Sequence, residues 1–197
     1  MINKELAQKH FDLAYRAYLD AKETVKELTT VVQLAAPNFS FDIAMSQFDL
    51  ILQGILLRTA VEDGYFLDEE RQFIEKITDY ADIMSYFNNK GIPISWDLFN
   101  QMSDEQRKDI SLKMVVLLTE LAEGFVTPFA MIDSVLPKDY CEVLTETMGI
   151  ICLALAKCDG DANQSAALKS EGLVAIVLID KIIKEKWREI EEKTKNN

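Results

Sequence analysis

Apolar residues recur at helical spacing along almost the whole chain, and no stretch alternates apolar and polar residues with a period of two between turn signals. A strand with one face on a core needs that alternation, whereas a helix shows apolar positions at i, i+3, i+4 and i+7. The pattern therefore predicts an all-α protein: a compact multi-helix bundle forming a single domain over 1–197. The clearest segment is 4–36, where Leu6, Leu13, Ala17, Ala21, Val25, Leu28, Val32 and Ala35 mark one stripe before Pro37 closes the helix. At about 1.5 Å per residue such a helix reaches about 50 Å. That is longer than a small domain needs, so the helix is expected to wrap the body or to meet a second copy of the chain.

Further along, a helix over 42–62 is apolar nearly all round from Leu50 onward, as a central helix would be. A third helix is predicted over 68–87, with Phe73, Ile74, Ile77, Ala81, Met84 and Phe87 inward, followed by a loop over 88–93. Ser95 caps a short helix carrying Trp96, Leu98 and Phe99, and Ser103 with Gln106 forms a capping box that opens a helix to about 123. Thr127-Pro128 reads as a fresh helix start, running to 136. Two last helices are predicted over 137–158 and 165–193. The apolar runs 149–156 and 172–179 are far shorter than the roughly 20 residues that cross a bilayer, so both are expected to be buried and no membrane insertion is expected.

Two stretches repeat one another, which divides the chain into a long N-terminal helix (1–36), a first unit (40–87), a middle segment (88–136) and a second unit (137–193). In the first unit an apolar helix ends at Asp63-Gly64 and leads to Glu70, ahead of Phe73, Ile74 and Ile77; in the second, one ends at Asp159-Gly160 and leads to Glu171, ahead of Val174, Ala175 and Leu178. Both glutamates fall three and four residues before inward positions, so each lies on the apolar stripe of its helix. A carboxylate placed there needs a partner. Glu70 has three available: the backbone N–H of Leu67 in a capping arrangement, a buried cationic partner among Arg58, Arg71 and Lys157, or a calcium or magnesium ion held with Asp63 and helped by Glu62, Asp68 or Glu69. The corresponding cation set in the second unit is Asp159 and Glu171. An EF-hand is excluded, because its first and third ligand positions would be Thr59 and Val61, neither of which supplies a carboxylate.

At these residues the chain resembles the tellurite-resistance TerB-like family, helical proteins with two pseudo-symmetric halves. In that family a helix ends in Ala-Asp-Gly and the next carries a glutamate seven residues after the aspartate. The stretch Val61-Glu62-Asp63-Gly64-Tyr65-Phe66-Leu67-Asp68-Glu69-Glu70-Arg71 looks like that pattern, and the likeness covers 40–83 and 143–183. The chain departs from it at Leu67, where the family has a Ser or Thr cap, at Glu62 and Cys158 in place of the alanine, and in the longer second loop over 161–165. The resemblance implies divalent-cation binding by Asp63, Glu70, Asp159 and Glu171, and a role as a sensing or binding module in a stress-related or membrane-linked complex.

Charge narrows the partners. With 33 acidic and 21 basic side chains the formal net charge is −12, which disfavours nonspecific contact with nucleic acid or anionic lipid. A protein partner with a basic surface is favoured, and the alternative function is an acidic adaptor or inhibitor with purely structural turns. The N-terminus lacks the basic and apolar regions of a secretory signal, so a cytoplasmic location is expected. Three cysteines (Cys141, Cys152 and Cys158) show no metal-type spacing and argue against a disulfide framework. His10 is the sole histidine, so an imidazole-activated nucleophile would have to draw on the first helix. Neither a paired Glu-x-x-His set nor a phosphate-binding glycine loop occurs, and no catalytic role is expected.

Overall fold

In the computed structural model, residues 4–62, 66–78, 82–133, 136–158 and 167–196 are described, apart from the side chains of Trp96, Asn100 and 167–172. All regular structure among them is helical, as the periodicity predicts. Asp63, Gly64, Asp159 and Gly160, the two related turns, lie outside the described residues.

Helix α1 (Lys4–Ala35) lies mainly along α7 (Tyr140–Leu155), with further contact to α2 (Phe41–Ala60) and α6 (Asp104–Asp133). Its buried stripe runs through Ala14, Ala17, Tyr18, Ala21, Val25, Leu28 and Val32. The apolar seam is thus used inside the chain. Leu13, read as part of it, is 53% exposed, because it stands one residue and about 100° around the helix from Ala14. Ala35 is exposed as well.

Helix α2 is central. Ser40 caps it, its hydroxyl accepting the Ile43 N–H, and every residue from Ile51 to Leu57 is buried. The helix expected over 68–87 is in fact two, α3 (Asp68–Ile77) and α4 (Ile83–Asn89). The cause is a long-range partner invisible to local propensity. Gln53, buried in α2, donates from Nε2 to the Thr78 hydroxyl at 2.5 Å and accepts the Ile83 N–H on Oε1 at 3.0 Å. One core amide therefore ties down the end of α3 and the start of α4, where helical hydrogen bonds are missing. Asp82 completes the cap by accepting the Ser85 N–H. The short α5 (Trp96–Gln101) starts at Ser95, and Ser103 with Gln106 opens α6 by the reciprocal bonds expected.

The fresh helix start at Thr127-Pro128 is overturned: α6 runs unbroken through Pro128. Proline removes one backbone donor and crowds the preceding turn. Burial of Phe125, Val126, Phe129 and Ala130 on either side outweighs that cost, with the two phenylalanine rings edge to face at 5.1 Å. Thr127 turns its hydroxyl to the Glu123 carbonyl instead of capping a new helix.

The helix predicted over 137–158 begins at Tyr140 rather than Pro137. Asp139 accepts the Glu142 N–H, while Asp133, from the end of α6, accepts those of Tyr140 and Cys141, both at 3.2 Å. The final helix is α8 (Ala167–Ile179), a π turn (Asp180–Lys184) and α9 (Glu185–Lys195) in one rod. The π turn lets the adjacent Ile182 and Ile183 both bury ahead of the fully buried Trp187. Lys186 then joins α9 to Glu123 of α6 at 3.0 Å.

Candidate functional site

Of the four carboxylates anticipated as cation ligands, Glu70 alone has a described side chain. Its Oε2 accepts the Leu67 N–H at 2.8 Å, and the residue is buried. That is the capping partner. Leucine has no side-chain acceptor to return the bond, so only the glutamate half of the box exists. Glu62 pairs with Arg58, and Arg71 with Glu75 and Asp97. Asp63 and Asp159 lie outside the described residues, and Glu171 sits in α8 with its side chain undescribed. Among the described residues, no three His, Cys, Asp or Glu side chains converge as a metal site would need.

The feature that stands out lies elsewhere. Helices α6 and α8 each pack against α2 but scarcely touch one another among the described residues, leaving a groove of about 720 Å³ above the end of α2. Val61 and Leu178, both buried, form its floor. Its walls are aliphatic: Leu112 is 63% exposed, Leu173 63% and Val177 54%. Along α6 it is lined by Asp104, Arg107, Lys108, Ser111, Leu112 and Val115. This is one helical face over three turns, about 16 Å long.

Charged groups share the groove with its aliphatic walls. Near the start of α6 stand Lys108 and the Arg107–Asp104 ion pair, and at the end of α2 stands the Arg58–Glu62 pair. The aliphatic surface continues over α6 through Val116, 58% exposed, into a shallower depression of about 450 Å³ bordered by Lys90 and Lys113. Lys113 pairs with Asp109 at 2.6 Å. Within α6 one 18-residue window has the length and hydropathy of a membrane span, yet only 33% of it is buried. Part of its exposed remainder is this surface.

Sequence reasoning missed the groove, and one expectation is corrected by it. The run 172–179 is not a buried helix segment, since Leu173, Ile176 and Val177 are all more than half exposed. In the run 149–156, Ile150 and Leu153 are also partly exposed, at 39% and 45%. All-round apolarity was the available signal. It marks a helix that wants cover on every side without saying whether the chain supplies it.

Among the described residues, other chemically interesting groups do not assemble into a second site. Burial, helped by the nearby Lys157 ammonium, holds the His10 imidazole below the usual histidine range. Burial pushes the Cys152 and Cys141 thiols up to about 12. Phe99, Phe125 and Phe129 are core residues. Tyr18 donates its hydroxyl to Asp49 Oδ2 at 3.1 Å within the core between α1 and α2. No protein-family model, curated protein or solved structure matches the chain.

Proposed function

We propose that this protein is a helical binding module that docks a partner in the groove between α2, α6 and α8. One observation carries the reading: aliphatic side chains from two separate helices, each more than half exposed, face a single groove floored by the core. Solvating such side chains costs roughly 25 cal/mol per Å² of apolar surface, a cost that a docked partner relieves. The reading assigns no reaction to the groove, and it does not draw on the acidic turns.

Net charge alone favours a basic partner, but binding responds to the field at the contact, which salt screens within about 8–10 Å. Around this surface Arg58, Lys90, Arg107, Lys108 and Lys113 stand against Glu62, Asp104 and Asp109. The border is therefore locally cationic on an acidic chain.

Peptide display against the full chain, with counter-selection on the Leu112→Asp/Val177→Asp variant, tests the reading. Both positions are exposed, so the variant should melt like the wild type. A peptide family that binds the wild type and loses about tenfold or more on the variant supports docking here. Recovering only peptides indifferent to both substitutions overturns it.

A further inference from the structure

We infer that the groove's occupant is an amphipathic helix of about three turns from a partner protein, aliphatic on one face and flanked by Asp or Glu. This rests on the groove being a docking surface, and it deepens that reading in shape and in charge.

Shape comes first. A helix is about 10 Å across with its side chains, and neighbouring helices pack 8–10 Å apart with side-chain ridges in grooves. Helices α6 and α8 lie on α2 with a gap between them, so the vacant position above Val61 and Leu178 is that of one more helix in the layer. Its length, set by Asp104 to Val115 on α6, matches about eleven helical residues. Exposed walls at Leu112, Leu173 and Val177 can grip aliphatic side chains spaced i, i+3, i+4 and i+7 on the incoming helix.

Charge then selects among helices. Lys108 lines the groove near the start of α6, while Arg58 and Arg107, which line it too, are paired with Glu62 and Asp104 of this chain. An incoming basic helix would meet like charge at Lys108, whereas acidic residues beside the aliphatic face would meet Lys108 in the groove and, across α6, Lys90 and the Asp109-paired Lys113. Like charges at a contact are penalised and opposite ones speed encounter. An acidic residue of the occupant is thus placed beside Lys108, near the start of α6, and its aliphatic face over Leu112 and Val177.

Three fluorescent synthetic peptides of about fourteen residues separate the possibilities by anisotropy against the full-length protein. One has the aliphatic face flanked by Asp and Glu, one has the same face flanked by Lys and Arg, and one is acidic with its aliphatic residues scrambled. The acidic amphipathic peptide should bind about tenfold or more tightly than the other two, and its affinity should fall with added salt. Lys108→Glu should weaken it and strengthen the basic peptide, and Leu112→Asp should abolish both. If the acidic peptide binds no better than the basic or scrambled one, the inference fails. Display-selected peptides that still require Leu112 and Val177 would then leave the docking reading intact; if they too are lacking, both fall. Sedimentation with phosphatidylcholine vesicles containing phosphatidylglycerol forms the last arm. Leu112-dependent binding to vesicles, with none to the acidic peptide, overturns the helical occupant in favour of a lipid surface.

Discussion

Gly54 of α2 lies against Leu118 of α6 so closely that a Cβ on the glycine would stand 2.3 Å from Leu118 Cδ2 and 3.1 Å from Cγ. Leu118 is fully buried, so its side chain has nowhere to swing. A glycine in a helix interior costs about 1 kcal/mol relative to alanine. Here it permits the close approach that seats α6 on α2, and so sets the height of the groove's α6 wall.

Gly54→Ala should therefore destabilise the protein by about 1–3 kcal/mol despite the better helix former, because overpacking outweighs propensity. Urea unfolding of the single and double variants checks this. Paired with Leu118→Ala, the substitution should cost less than the two singles added together, the sign of direct coupling. A stabilised Gly54→Ala would mean that α6 can shift away freely.

The helical class, the central position of α2 and the caps at Ser95 and Ser103 were legible because each depends on residues close in sequence. The break between α3 and α4 was not, since it is made by Gln53 from another helix. Nor was the passage of α6 through Pro128, where packing of Phe125 and Phe129 overrides a local stop signal. Glu70 was placed correctly on an inward stripe, and its Leu67 partner was among those foreseen. The groove draws on Arg58, Leu112 and Leu173, which no local window joins. Hydropathy showed that α8 is apolar all round but could not show which face the chain leaves uncovered.

Folded protein should resist thiol reagents at Cys141 and Cys152. Burial raises both thiols to about 12, and the thiolate is the reactive form. Mass spectrometry after brief iodoacetamide treatment at about pH 8 should find both unmodified in buffer and alkylated in denaturant. Rapid alkylation of either in the folded state would contradict its burial.

His10, the sole histidine, offers a clean titration by NMR. Burial is the larger cause of its lowered pKa and Lys157 the smaller, so Lys157→Gln should raise the midpoint only part of the way towards 6.5. The sign for stability follows. A histidine with a depressed folded pKa binds fewer protons folded than unfolded in the interval below 6.5. Its contribution is thus present above that value and is lost as pH falls through the lowered one. A midpoint at or above 6.5 in the folded wild type would refute the placement.

Asp133 should behave in the opposite sense from most carboxylates. Burial raises its pKa above 3.8, outweighing the two backbone N–H groups of Tyr140 and Cys141 that favour the charge. The indole N–H of Trp187, buried and without a hydrogen bond of ordinary geometry, also lies towards this carboxyl and favours its charged form. Asp133→Ala strips acceptors from two N–H groups at the start of α7, a loss of about 1–3 kcal/mol. Because the folded pKa is raised, the folded state holds the proton more tightly than the unfolded chain. The residue's contribution is then full below the unfolded value and declines as pH rises through the folded one. The gap in stability between wild type and Asp133→Ala, from urea unfolding, should therefore be wider at about pH 4 than at about pH 7. A gap that widens towards neutral pH would mean that the N–H groups, not burial, govern this carboxyl.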